Sequence, residues 1–248
     1  LENVLKIYVA FDDTDALNCG RGTGKLARWF EDKLPESTSL SGILRQQLLF
    51  RDDIPYTSHN SSLVCVINAQ DEKIIPELTE LATEHIKEFF VEGSDPGLCI
   101  CSEKSSALKE LIPFGKSCLE TKMTQKQAYF AATGAHLSGH GGTNDGVIGA
   151  AAGVGLTHNG MNGRFNEIRK GDFRLREIEE ETTVKFLRSV GIEPVSMERK
   201  GTNPVDSDKI KTYSWLRPML FQGSPFLPIV LEETGVWGTL LRKKGILK

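Results

Sequence analysis

The sequence predicts an α/β fold in its first half and an α+β arrangement in its second. Three observations carry this expectation. Up to residue 134, short apolar runs alternate with segments of helical periodicity, the pattern of a sheet covered by helices. Beyond residue 191, short strand-like runs follow one another with little helix between them. A length of 248 residues suffices for one large or two small domains with a real core. The boundary is expected between residues 113 and 125, giving domains over 1–120 and 121–248.

Bulk chemistry narrows the function classes. Net charge is −3, so no global basic field argues for nucleic acid. No apolar run reaches the length of a membrane span, and no signal-peptide pattern opens the chain. The five cysteines, Cys19, Cys65, Cys99, Cys101 and Cys118, are an odd number in apolar contexts. Cys99 and Cys101 alternate with Leu98 and Ile100, and no second cysteine pair exists to close a zinc site. Reduced thiols in a cytoplasmic protein are the expectation.

Residues 4–34 organise the rest. The run 4–11 is short, apolar and ends in charge, which reads as a buried strand. Asp12, Asp13 and Asp15 stand where that strand ends, and the glycine-rich stretch Gly20-Arg-Gly-Thr-Gly-Lys25 follows. Leu26, Trp29, Phe30 and Leu34 then recur at helical spacing. Carboxylates at the carboxyl end of a strand lie where open α/β sheets place ligands. Hard oxygen donors suit Mg²⁺, which commonly binds a few carboxylates together with substrate phosphates. Backbone N–H groups of Gly20, Gly22 and Gly24 can approach a phosphate, and Arg21 or Lys25 can neutralise its charge. The stretch lacks the spacing of a Walker A loop. A solvated acidic turn, with Asp15 capping nearby N–H groups, is the plainer reading of the same residues.

A polar connection over 35–41 leads to a strand over 41–50. The loop 51–60, with Arg51, His59 and Asn60, leads into a strand over 62–68. Residues 71–91 read as a helix with the stripe Ile74, Leu78, Leu81, His85, Ile86 and Phe89, and Pro76 in its first turn. His85 then belongs to the edge of a core. A turn over 93–97, containing Asp95, precedes a buried strand over 98–102, and helices follow over 105–114 and 124–134. Residues 135–146 read as a glycine-rich loop entering a small-residue helix over 147–156, with Asn144 or Asp145 as its N-cap. His140, Asn144 and Asp145 suit the lining of a site, and the helix's small residues suit tight packing. A polar loop over 160–171 and a charge-laced helix over 173–190 come next. Strands over 192–197, 213–220, 228–231 and 235–241, a loop over 198–207 and the basic tail Arg242-Lys-Lys244 complete the chain.

Phe11-Asp-Asp-Thr-Asp15 followed by Gly22-Thr-Gly-Lys-Leu-Ala27 resembles the opening of the archaeal agmatidine synthetases, which modify an anticodon cytidine of an isoleucine tRNA. His59-Asn60, Asp95-Pro-Gly97 and Gly146-Val-Ile-Gly-Ala-Ala-Ala-Gly-Val-Gly155 continue the resemblance in the same order. It implies a kinase-like α/β first domain that binds ATP and Mg²⁺ through Asp12, Asp13 and Asp15. It also implies an α+β ferredoxin-like second domain that helps bind agmatine. That family's self-phosphorylated threonine falls on Thr23, and its loop corresponding to 51–60 helps form the nucleotide or substrate pocket. Gly22 stands where the family has cysteine, and the chain ends before the family's OB-fold and zinc-ribbon domains.

The resulting expectation is an ATP-dependent enzyme that phosphorylates an acceptor and condenses it with an amine such as agmatine. Asp12, Asp13, Asp15 and Thr23 are its candidate catalytic residues, the three aspartates serving as metal ligands. Gly20, Arg21, Gly22, Gly24, Lys25 and Asn60 are candidates for the nucleotide. His59, Asp95, His140, Asn144 and Asp145 are candidates for the substrate. Thr23 reads either as a phosphate ligand or as a phosphoacceptor. The acidic net charge and the absent modules point to a small-molecule acceptor without direct tRNA binding, or to tRNA delivered by a separate chain. A non-catalytic nucleotide- or metabolite-binding regulator is the alternative.

Overall fold

The computed structural model describes residues 4–16, 19–54, 60–198, 203–233 and 235–240. His59, part of the 198–207 loop and the basic tail lie outside the described residues. The chain divides into two units, Leu1–Asn159 and Gly160–Lys248.

The first unit begins with β1 (Leu5–Asp12), α1 (Thr23–Trp29), β2 (Ser39–Gln47), β3 (Ser61–Ala69), α2 (Ile75–Phe89) and β4 (Gly97–Ser102). It continues with α3 (Leu108–Glu120), α4 (Gln125–Ala131), β5 (His136–Gly139) and α5 (Gly146–Asn159). Its strands lie in the order β5-β4-β1-β3-β2, every neighbouring pair antiparallel. Strand β1 is central, with Val9 opposite Cys65 on β3 and Ile100 on β4. The alternation of a strand sends Ile7, Val9 and Phe11 to one face, where they join Leu26, Phe30, Leu78 and Ile86 in a buried core. On the other face Tyr8 meets His158, and Asp12 meets Gly149, both residues of α5. Burial on both faces explains why β1 reads as a continuous apolar run. His85 is 1% exposed, donates from Nε2 to the Leu26 carbonyl at 2.9 Å, and packs among Phe11, Phe30 and Phe89. Burial holds its pKa down, as suits a core histidine.

The division at Asn159–Gly160 corrects the boundary expected between residues 113 and 125. Helix α3 runs through Pro113, because Leu111, Phe114 and Cys118 bury its face. It also packs directly on α5. A Cβ at Gly155 would stand 1.9 Å from the Leu111 carbonyl oxygen, and one at Gly115 would stand 2.9 Å from that of Ala152. Two backbones that approach so closely belong to one unit.

The second unit contains β6 (Arg164–Lys170), β7 (Phe173–Arg174), β8 (Glu181–Thr183), α6 (Val184–Ser189) and β9 (Glu193–Ser196). Then come β10 (Lys209–Lys211), β11 (Met219–Phe221), β12 (Ser224–Leu231) and β13 (Trp237–Thr239). The strand order is β6-β11-β12-β13-β10-β8, with β7 on β6 and β9 on β12. Parallel pairs, β10 with β13 and β9 with β12, make the sheet mixed.

Several expectations fail here. Residues 173–190 form β7, a 3₁₀ turn, β8 and the short α6 in place of one helix. Thr182 and Thr183 favour the strand, and the Thr183 hydroxyl accepts from the Phe186 N–H at 3.2 Å, so the helix starts only there. The polar loop expected over 160–171 contains β6. A ferredoxin-like second domain is also not found: α6 is the only α-helix among the described residues of this unit. The βαββαβ connectivity with strand order β4-β1-β3-β2 belongs instead to the first unit. Among the described residues, no helix is long and apolar enough to cross a membrane.

Candidate functional site

The end of β1 and the start of β4 meet at one edge of the first unit's sheet, where Asp12 faces Gly97. The end of β2 and the start of β3 lie at the same edge, with Gln47 opposite Ser61. A cavity of about 100 Å³ opens there. Of the residues singled out from sequence, Asp12, Asp13, Asn60, Asp95 and Asp145 line it. Leu48, Leu49 and Ile54 supply an apolar wall. Cys118, Lys122 and Met123 close another side, and Gly149 of α5 lies against Asp12.

The acids crowd one another. Asp13 adopts a left-handed backbone at φ 48, a conformation that aspartate tolerates better than most residues. Burial first, then the charges of Asp95 and Asp15, push its pKa up to about 6, against a hydrogen bond from the Asp95 N–H. Asp12 is raised well above the ordinary value too, by burial and then by Asp13. Carboxylates destabilised in this way fit a cation. Among the described residues, no group of three or more His, Cys, Asp or Glu could hold a metal by itself. The donor set therefore suits a hard cation that brings phosphate oxygens as further ligands.

The segment 139–146 is built around Asp95. Its carboxylate accepts from the Thr143 N–H and hydroxyl, each at 2.7 Å, and its carbonyl accepts from the Gly146 N–H at 3.0 Å. Asn144 sits at φ 64, and its Oδ1 accepts from the Gly141 N–H at 3.4 Å. Gln125 holds Asp145, donating to its Oδ1 at 2.6 Å. Glycines admit the carboxylates: a Cβ at Gly142 would stand 1.5 Å from Asp95 Oδ1, and one at Gly149 would stand 1.9 Å from Asp12 Oδ2. The expected loop begins as strand β5, whose Ser138 hydroxyl lies 2.8 Å from the Nε2 atoms of both His136 and His140. Burial keeps both imidazole pKa values low, and His140 lies outside the cavity lining.

The stretch Gly20–Lys25 also lies outside it. Thr23 is 6% exposed, and its hydroxyl donates to Asp15 Oδ1 at 3.0 Å while accepting from the Thr14 hydroxyl at 3.2 Å. Asp15 is thereby held beside α1, so the three aspartates do not form one ligand set. Arg21 and Lys25 lie 5.8 and 5.9 Å from the Trp29 ring centroid. Arg21 also donates to the Phe90 carbonyl at 3.3 Å. Gly20, at φ 71, makes the turn, and Gly22 is the N-cap of α1, with Gly24 inside its first turn. Asn60 has a fastening role: its Nδ2 donates to the Leu49 carbonyl at 2.8 Å, and its own carbonyl accepts from the Leu48 N–H at 2.9 Å. Lys122 and Cys118 give no local signal of a site, since only the packing of α3 on α5 brings them to the cavity.

No protein-family model matches the chain, and no curated relative does. Solved structures are similar. TiaS, an agmatidine synthetase for an isoleucine tRNA, in complex with that tRNA and ATP, matches at 25% identity and TM-score 0.51, over 61% of this chain and 36% of TiaS. A tRNA fluorescent labelling enzyme matches at 26% identity and TM-score 0.51, over 60% of this chain and 36% of that one. The TiaS complex with the same tRNA, AMPCPP and agmatine matches at 21% identity and TM-score 0.52, over 75% of this chain and 44% of TiaS. The chain thus spans about 36–44% of the length of these neighbours, and its fold is TiaS-like.

Proposed function

We propose that this chain carries the ATP-using site of a tRNA-modifying enzyme, kinase-like in its chemistry. One observation supports this above the rest: Asp12, Asp13, Asp95 and Asp145, from three separate segments, line one cavity. The TiaS-like fold agrees with it. In this reading Asp12 and Asp13 hold Mg²⁺, which neutralises phosphate charge when bound. Asp95 keeps the 139–146 segment against the site, and Thr23 positions Asp15 beside it. The acceptor's carbonyl oxygen takes a phosphoryl group from ATP and the remaining nucleotide leaves. An amine nitrogen then displaces the phosphate, forming the new C–N bond. The acidic wall suits a cationic amine, and agmatine is the amine of one solved neighbour.

The expectation of a small acceptor without direct tRNA binding rested on net charge and on where the chain ends. Two of the solved neighbours are complexes with tRNA, and both extend well past the matched part, so the proposal takes tRNA as the acceptor. Phosphate or pyrophosphate release from Mg-ATP, measured across a panel of amines with and without total tRNA, tests this. Release should rise with both amine and tRNA. ATP binding with no release under any combination would favour the regulatory alternative.

A further inference from the structure

An acidic cavity that takes a triphosphate needs a cation besides the metal, and the sequence offers Arg21 and Lys25 for that role. Both are engaged with Trp29 and lie outside the cavity lining. Among the described residues, Lys122 is the basic side chain that lines it. Its ammonium donates to the Asp53 carbonyl oxygen at 2.6 Å and lies 3.5 Å from Asp53 Oδ2. Arg51 grips the same carboxylate with both arms, from Nε at 2.8 Å and from Nη2 at 2.9 Å. Ile54, the next residue, lines the cavity, which places this charge array at its mouth.

We propose that Lys122, with Arg51 behind it, binds the phosphate chain of the nucleotide, and that the Asp53 carboxylate holds their place in the free protein. The inference rests on the ATP-using reading above. A phosphate oxygen pair presents the same charge and the same fork of acceptors as a carboxylate, so the guanidinium can exchange one for the other. The lysine's flexible four-carbon stem lets the ammonium turn from the mouth towards the cavity. Exchange is easy, because Lys122 and Asp53 are 50% and 48% exposed and a pair this open to water is weak. Arg51 chiefly, with Lys122, holds the Asp53 carboxyl below the usual carboxylate range, in keeping with the observed pairing.

The test is calorimetric affinity for ATP and for adenosine, both in Mg²⁺, in wild type, Lys122→Ala, Lys122→Arg and Asp53→Asn. Loss of a charge-assisted phosphate contact should weaken ATP binding by about tenfold or more in Lys122→Ala. Adenosine affinity should stay within about twofold, since the nucleoside has no phosphate for Lys122 to meet. Lys122→Arg should recover most of the loss, and Asp53→Asn, which removes the competing carboxylate, should tighten ATP. Equal ATP affinity in Lys122→Ala and wild type overturns the inference and leaves the ATP-using reading standing. An equal loss for ATP and adenosine also overturns it, since that reports a damaged cavity. Wild type that binds no ATP at all ends both.

Discussion

Two glycine-rich segments stand near the aspartates, and they do opposite things. Residues 139–146 press backbone onto carboxylates, with a Cβ at Gly142 only 1.5 Å from Asp95 Oδ1 and one at Gly146 only 2.2 Å from the Asp95 carbonyl oxygen. Gly20 and Gly22 make no such approach among the described residues. Among the described residues nothing lies within 4 Å of a Cβ at Gly20, and a Cβ at Gly22 would be an ordinary 3.6 Å from Asp15 Oδ2. In sequence the 20–25 stretch reads as a phosphate cradle and 135–146 as a glycine-rich loop that lines a site. In the fold, the N–H groups of Thr143 and Gly146 are already given to Asp95, while the cations of the other segment lie on Trp29. Glycine content marks where backbone comes close to something; only the partner says what.

The largest expected contrast is between Gly149→Ala and Gly22→Ala. The first drives a methyl into the Asp12 carboxylate at a buried helix position, and should cost roughly 1–3 kcal/mol by overpacking together with most Mg-ATP affinity. The second alters an N-cap that has room, and should cost at most about 1 kcal/mol. Urea midpoints of the two variants check this, and equal losses would break the contrast.

Asp13 and Asp15 sharpen it at a smaller scale. The Asp13 pKa is raised above its unfolded value, so the native state binds the extra proton between about pH 4 and 6 and stability falls as pH rises through that window. Above it the ionised group opposes folding, and Asp13→Asn should stabilise the free protein by about 1–2 kcal/mol at pH 7. Asparagine also accepts the left-handed backbone there. Asp15→Asn should instead cost about 0.5–1.5 kcal/mol, because the Thr23 hydroxyl loses its charged acceptor. Thermal melts from pH 4 to 7 should show the wild-type slope flattened most in Asp13→Asn and only in part in Asp15→Asn, which removes one of the charges that raise Asp13.

The smallest effect belongs to Arg21→Ala and Lys25→Ala. Each gives up a partly exposed contact with Trp29 worth about 0.5–1 kcal/mol, and Mg-ATP affinity should not change. A tenfold loss of affinity in either would return the phosphate to the 20–25 segment.

Local pattern makes much of the first unit legible. Strand β1 shows as an apolar run and α2 as a stripe ending with Phe89, and the helix expected from residue 124 starts in the structure at a capping box between Thr124 and Gln127. The second unit hides more. Glu179-Glu-Glu-Thr-Thr183 carries charge at helical density, yet its threonines pair as a strand edge with β10. At the site, Asp12, Asp13 and Asp145 announce themselves by residue type and position, whereas Asp95 and Asn60 are reached only through the family resemblance. Lys122 does not, because its place depends on α3 returning along α5, a contact between residues some forty apart. The division at Asn159 is invisible for the same reason: Pro113 looks like an ending, and only the buried face of α3 shows that it is not.

The central claim is that the raised carboxylates at the end of β1 bind Mg-ATP. Calorimetric titration of Mg-ATP into wild type and Asp13→Asn at pH 7.5, repeated on wild type at pH 5.5, tests it most directly. Binding should weaken at least about tenfold in Asp13→Asn even though that variant melts higher. It should also weaken in wild type as pH falls through about 6, where Asp13 takes up its proton. Equal affinity in the two proteins, with no loss at the lower pH, would contradict the account.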